Sequence, residues 1–333
     1  QSPLAMQPFF LGLTRDLLTQ DGRPSFGEAP LQLLDAETHL RWEFIPESPS
    51  EITPEIMARY DGIHVNTPRV TRASLAGAAP RVRIVSRHGV GYDSVDVAAL
   101  AEHGIITTNT PVAIRRPVAV AALTFIFALA GRLFTKDRLV RQQQWNARNS
   151  HMGLGLTTRT LGVVGVGGIG RELLRLAAPF GWHMLACDPH VDAAAIGALG
   201  ARKSAFHNLL AQSDFVVSSL ILDATTRHLF NAAAFAAMKP EAFFVNVARG
   251  GVVDEQALIE ALTQNRIAGA GLDVFEQEPI ASDNPLLGMR QVILTPHALC
   301  WTDDCFDAIA REGLANVIAF SRGNPPVSMV TPR

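Results

Sequence analysis

Three glycines set the first chemical expectation. In Gly165-Val166-Gly167-Gly168-Ile169-Gly170 they occupy the positions of a G-x-G-x-x-G turn. In such a turn the first glycine bends the chain and the second lets the backbone approach a pyrophosphate. The third lets the following helix pack closely on the preceding strand. N–H groups exposed at the helix start then hold the phosphates. Asp188 follows Gly170 by 18 residues, where a carboxylate accepts hydrogen bonds from the adenosine ribose hydroxyls and repels a 2′-phosphate. The implied chemistry is dinucleotide binding at residues 165–170 and Asp188, with NAD preferred over NADP.

A glycine pattern alone is a weak signal, so the elements around it matter. Residues 161–164 read as a short buried strand. Leu173, Leu174, Leu176 and Ala177 recur at helical spacing, and residues 183–187 read as a second strand ending at Asp188. Upstream, strands are expected at 9–14, 41–45, 62–67, 82–86 and 104–109, with helices at 30–37, 54–60, 73–78 and 96–102. Downstream, an apolar helix spans 117–133, polar helix formers continue over 135–144, and 146–158 reads as a loop. Strands at 215–220, 242–247, 268–272 and 291–294 then alternate with helices at 206–211, 232–238 and 255–263, and a helix over 302–321 follows. This alternation predicts an α/β fold with parallel sheets covered by helices on both faces. A complete α/β unit precedes the glycine turn.

Composition narrows the function. The chain has 333 residues, enough for two domains. With 48% hydrophobic and 18% charged residues it reads as globular, and a formal net charge of −2 offers no basic field for nucleic acid. Cys187, Cys300 and Cys305 lack the number and spacing of a disulfide framework or a zinc site, so no metal is expected and a reducing cytoplasm fits. Gln1-Ser2-Pro3-Leu4 shows no cationic start of a signal peptide. The most apolar run, residues 118–130, falls short of the roughly 20 residues that span a bilayer, so no membrane partner is expected.

Four more stretches line up with the glycine turn: VSRHGVGYDSVDVAAL at 85–100, NVARGGVVDEQAL at 246–258, GLDVFEQEP at 271–279 and TPHALCWT at 295–302. In order and spacing the five resemble the D-isomer-specific 2-hydroxyacid dehydrogenases, which include glyoxylate and hydroxypyruvate reductases, D-lactate dehydrogenases and D-3-phosphoglycerate dehydrogenases. The resemblance covers about residues 9–323. It implies a Rossmann NAD-binding domain, residues 117–296, inserted in a flavodoxin-like substrate domain made of 1–116 and 297–333. It also implies a homodimer, with the 117–133 helix among its contacts, and a small 2-hydroxy or 2-oxo acid as substrate.

By the same resemblance His297 is the acid/base and Glu278 the carboxylate that hydrogen-bonds it. Arg249 is the arginine that grips the substrate's carboxylate and carbonyl oxygen. Each role suits its residue. An adjacent carboxylate keeps a histidine proton available near neutral pH, and a planar guanidinium matches a carboxylate. Gly89-Val90-Gly91 correspond to the loop whose N–H groups hold the carboxylate. His88 and Trp301 are expected at the substrate, although Trp301 could equally pack on the last helix. Ala248 and Asp273 are expected at the cofactor, with a purely structural turn role for Asp273 equally open.

Two departures from the family pattern stand out. Residues 218–223 lack the usual H-x-P, which puts cofactor contacts there in doubt. Val120 replaces a frequent glutamate, which suggests a missing buried polar contact. Two alternatives to a general 2-hydroxyacid dehydrogenase are a D-3-phosphoglycerate dehydrogenase, for which Arg69, Arg72, Arg87, Arg115 and Arg116 are candidate phosphate cations, and a non-catalytic NAD-sensing corepressor-like protein.

Overall fold

The computed structural model describes residues 7–77 and 79–332, so the residues read for a signal peptide and Ala78, the last residue of the expected 73–78 helix, lie outside the described residues. These divide into two compact units, residues 7–114 with 301–332 and residues 115–300. Strands β1 (Phe9–Leu13), β2 (Leu40–Phe44), β3 (Gly62–Val65), β4 (Ile84–Arg87) and β5 (Ile106–Thr108) belong to the first unit. The second holds β6 (Thr160–Val164), β7 (His183–Cys187), β8 (Arg202–Lys203), β9 (Phe215–Ser218), β10 (Phe243–Asn246), β11 (Gly269–Leu272) and β12 (Val292–Leu294). The chain ends in the first unit with β13 (Met329–Val330).

Helices α1 (Leu31–Asp35), α2 (Pro54–Arg59) and α3 (Val97–Glu102) connect the strands of the first unit. Helices α4 (Arg115–Ala130), α5 (Leu133–Arg141), α6 (Gly168–Ala177), α7 (Ala193–Gly197), α8 (Phe206–Gln212), α9 (Ala232–Ala237) and α10 (Glu255–Thr263) belong to the second. Helix α11 (Asp303–Ser321) returns to the first.

The first sheet runs β2-β1-β3-β4-β5 in parallel, with β13 antiparallel to β5. This is the flavodoxin-like order. Alternation along its strands feeds two cores. Phe9, Leu11, Leu13 and Ile84 face one side with Ala310, Leu314 and Val317 of α11, while Ile63, Val65 and Val85 face the other with Ile56 and Leu100. The second sheet runs β8-β7-β6-β9-β10-β11-β12, parallel throughout, which is the Rossmann order with one further strand. Strands β9, β10 and β11 are buried along their whole length, as expected where helices cover both faces of a parallel sheet.

Most expected elements are present, with ends set by local chemistry. Asp96, Asp254 and Thr302 accept the N–H groups of Ala99, Ala257 and Cys305 and so begin α3, α10 and α11. The apolar helix expected over 117–133 spans Arg115–Ala130 instead. It breaks at Gly131 and Arg132, whose φ of 48° is left-handed, and α5 departs at 54°. No single helix among the described residues is long and apolar enough to cross a membrane, and ten residues of α4 are buried in the protein.

The expected boundaries move outward. Residues 115–116 and 297–300 group with the second unit. For the latter the reason is visible: one oxygen of Asp273 accepts the N–H groups of Ala298 and Leu299, at 3.0 and 3.1 Å. Val120 is 46% exposed within the single chain.

Candidate active site

The glycine turn joins β6 to α6 as its spacing predicts. Gly165 has a φ of 95°, open to glycine and rarely to other residues, and its N–H donates to the Cys187 carbonyl at 2.9 Å. A Cβ on Gly170 would lie 2.0 Å from the Gly165 carbonyl oxygen, so the helix reaches the turn only without one. A Cβ on Gly167 would meet no protein atom within 4 Å, which leaves open space where a pyrophosphate approaches. At Gly168 a Cβ would lie 2.6 Å from Arg115 Nε, so that side chain lies along the helix start. Ile169 is partly buried in the first turn of α6.

Asp188 lies at the end of β7 and is tied to the same turn. Its two oxygens accept the N–H groups of Val166 and His190, each at 2.8 Å. The carboxylate is therefore held in place, with lone pairs left for ribose hydroxyls. The residues present fit a dinucleotide.

The altered 218–223 stretch supplies a contact that the sequence did not reveal. Ser219 Oγ donates to the Gly165 carbonyl at 2.7 Å and pins the turn from just beyond the end of the neighbouring strand β9. Family patterns pointed to an absent histidine and proline there, and a serine hydroxyl gave no signal of its own.

Arg249, Glu278 and His297 all belong to the second unit. Arg249 follows β10 in a short turn. Asn246 holds this turn, its Nδ2 donating to the Arg249 carbonyl at 3.0 Å and its Oδ1 accepting the Ala248 N–H at 3.1 Å. An Arg249 guanidinium nitrogen donates to the Ala248 carbonyl at 2.8 Å. Ala248 is buried, so its structural part is that backbone support.

His297 Nδ1 and Glu278 Oε2 are 2.8 Å apart, and the other Glu278 oxygen accepts the Phe275 N–H at 3.0 Å. Partial burial raises the Glu278 carboxyl, but the hydrogen bonds from His297 and Phe275, with Arg249 nearby, outweigh it and hold the group below its ordinary value. The two side chains are 45% and 38% exposed. His297 Nε2 makes no hydrogen bond among the described residues.

The backbone of His297 is left-handed, φ 54°, at a cost of about 1–2 kcal/mol for a side chain of this kind. Asp273 stabilises this turn. Besides the two N–H groups beyond His297, the same carboxylate oxygen accepts the Thr295 hydroxyl at 2.6 Å. Asp273 is 5% exposed, and the structure gives it this turn-holding role.

In the first unit the loop after β4 is fixed at three points. The Gly89 N–H donates to Thr110 Oγ1 at 2.9 Å, its carbonyl accepts the Thr110 N–H at 3.0 Å, and Asn109 Nδ2 donates to the Val90 carbonyl at 2.8 Å. Of the three expected carboxylate donors, Gly89 is thus already committed. The N–H groups of Val90 and Gly91 remain without a protein acceptor among the described residues. A Cβ on Gly89 would lie 2.4 Å from an Arg87 guanidinium nitrogen, so that cation lies directly on the loop. His88, expected at the substrate, is 3% exposed, and its Nδ1 lies 3.0 Å from Nε2 of the buried His64. Trp301 is 57% exposed and meets Phe306 of α11 edge-on at 5.0 Å.

Residues 123–298 match the family described as "D-isomer specific 2-hydroxyacid dehydrogenase, NAD binding domain". A glyoxylate reductase of Korarchaeum cryptofilum is 40% identical over 261 residues, covering 78% of this chain and 79% of its own. A D-3-phosphoglycerate dehydrogenase of Mycobacterium leprae is 35% identical over 86% of this chain and 53% of its own. Among solved structures, a glyoxylate reductase from Paecilomyes thermophila superposes with a TM-score of 0.81 at 27% identity, covering 98% of this chain and 99% of that one.

Proposed function

From the premise that the chain belongs to the D-isomer specific 2-hydroxyacid dehydrogenase family, which interconverts 2-hydroxy and 2-oxo acids with NAD, we propose that it acts on a small 2-oxo acid and its (R)-2-hydroxy acid, with His297 as acid/base. The observation that carries this reading is the His297–Glu278 pair, its Nε2 uncommitted, in the same unit as the glycine turn. Gly165, Gly167, Gly168, Ile169, Gly170 and Asp188 hold the cofactor. Bound NADH supplies the hydride for the carbonyl carbon.

His297 holds a proton at Nε2 and gives it to the carbonyl oxygen, and in the reverse direction it takes the hydroxyl proton. Glu278 fixes the ring by accepting from Nδ1 and balances the imidazolium charge. Arg249 binds the carboxylate and the carbonyl oxygen through its planar fork of donors. Val90 and Gly91 offer backbone N–H groups to the carboxylate. Exposed Val120, Phe127, Leu133 and Phe134 on α4 and at the start of α5 support a homodimer through that face. Three free cysteines fit a reducing cytoplasm.

The test is NADH oxidation with glyoxylate, pyruvate, hydroxypyruvate, phosphohydroxypyruvate and bulkier 2-oxo acids, with product chirality determined where it exists. An (R) product from one preferred substrate supports the reading. Arg87 against Gly89 favours keeping the phosphorylated substrate in the panel, and its clear preference would make the protein a D-3-phosphoglycerate dehydrogenase. Silence across the panel with NADH still bound would favour an NAD sensor.

A further inference from the structure

A buried hydrogen-bond chain runs through the first unit. His64 on β3 is fully buried and His88 nearly so. Their rings meet at 80°, with His64 Nε2 and His88 Nδ1 3.0 Å apart. On its other side His64 Nδ1 lies 3.1 Å from Ser86 Oγ, which lies 3.0 Å from the Gly313 carbonyl oxygen on α11. Helix α11 comes this close because residue 313 has no side chain: a Cβ there would lie 2.4 Å from His64 Cε1. Phe26 and Phe306 flank the His88 ring, at 6.0 and 5.6 Å between centroids.

The direction of each bond follows from counting protons. A carbonyl has none to give, so the 3.0 Å contact with Gly313 is attractive only when the Ser86 hydroxyl donates to it. Ser86 Oγ can then only accept from His64, whose Nδ1 must carry the hydrogen. Burial first, and Arg87 next, push His64 down to about 3 against the weaker opposing pull of Asp16. Burial, His64 and Arg87 push His88 well below its ordinary value. Both rings are therefore neutral at physiological pH, and the Nε2 of His64 is a bare lone pair. His88 must donate to it from Nδ1. This leaves His88 Nε2 bare as well, buried and without a hydrogen-bond partner among the described residues. A buried acceptor left in that state keeps the penalty of its lost hydration.

We propose that His88 Nε2 is a dedicated acceptor for one O–H donor, and that the Gly313–Ser86–His64–His88 chain fixes it at the start of the loop whose Val90 and Gly91 N–H groups are uncommitted. His64 and His88 are then positioning residues for the carboxylate loop. The donor is an O–H group, either of an internal water or of a substrate hydroxyl. The loop's role in carboxylate binding is taken from the function proposed above. The ring assignments stand without it.

The experiment has an arm independent of activity. Nitrogen-15 NMR of the histidine-labelled full chain should show His64 and His88 protonated on Nδ1 alone and unchanged between about pH 5 and pH 8. Protonation on Nε2, or titration of either ring in that range, overturns the proposal.

The kinetic arm uses His88→Asn, whose amide still reaches His64 but lacks the terminal acceptor, and His88→Gln, which retains an acceptor farther out. Loss of one hydrogen bond should raise KM for the 2-oxo acid roughly tenfold in His88→Asn, with partial recovery in His88→Gln and little change in kcat. A rise with hydroxypyruvate alone identifies a substrate hydroxyl as the donor, and an equal rise with glyoxylate identifies a water. Unchanged KM in both variants overturns the positioning role. A wild type inactive on every 2-oxo acid, with the NMR result as expected, would count against the proposed function instead.

Discussion

The Asp273 carboxylate accepts the Thr295 hydroxyl at 2.6 Å, and through this contact the end of β12 is tied to the end of β11 just where His297 begins its left-handed turn. Asp273→Ala removes one acceptor and strands three donors. Roughly 2–4 kcal/mol of stability should be lost, read as a lower urea midpoint. Thr295→Val removes one donor and should cost less. Equal midpoints for wild type and Asp273→Ala would refute this account of the turn.

His297→Asn should lower kcat by about 10²–10⁴-fold while NADH still binds, because the variant lacks a proton donor at Nε2 and leaves the glycine turn intact. Arg249→Ala should also raise KM for the 2-oxo acid. Rapid-mixing turnover and NADH fluorescence titration separate the two effects. Normal turnover in His297→Asn would sink the acid/base assignment.

Glu278 gives a pH signature. Its carboxyl is held below its reference value of 4.5 in the folded protein. The contribution of its hydrogen bonds to stability is thus complete above that value and is lost as the pH falls through the lowered folded value. Glu278→Gln should flatten this acid limb in urea midpoints measured between about pH 3 and pH 6. An acid limb as steep as that of wild type would mean that other carboxyls carry it.

Asp188→Ala should weaken NADH binding by roughly tenfold, through lost charge-assisted hydrogen bonds, and should narrow the preference for NADH over NADPH. A wild type that prefers NADPH would contradict the role given to this carboxylate.

Gly167 and Gly170 should fail differently. Alanine at 167 meets no protein atom within 4 Å, so the fold should be as stable as wild type while NADH binding is lost. Alanine at 170 runs into the Gly165 carbonyl and should cost about 1–3 kcal/mol. Thermal midpoints and NADH titrations of both variants check this, and a destabilised Gly167→Ala would remove the case for a ligand cradle.

How much of this was legible in the sequence depended on whether a feature is local. The β6–α6–β7 unit could be read because apolar period, glycine spacing and terminal carboxylate lie within a single stretch. Helix α10 could be read because Asp254 caps it. Strands β8 and β13 could not, since each has two residues and forms by backbone pairing with a neighbour. The break between α4 and α5 depends on a left-handed arginine that composition does not mark. His64 sits in an otherwise apolar strand, and its partner Ser86 meets Gly313 across 227 positions. Only the assembled sheet and helix bring those three together.

Helix α11 and strand β13, which complete the first unit, lie beyond all seven strands of the second. A ribosome therefore delivers the whole inserted sheet before the residues that cover one face of the first. Domains fold as units during synthesis, so the inserted unit, residues 115–300, should reach its native form before the first is complete. Until residues 301–332 emerge, the apolar face formed by Phe9, Leu11, Leu13 and Ile84 waits for its cover. That nascent interval is when the protein would most need a chaperone.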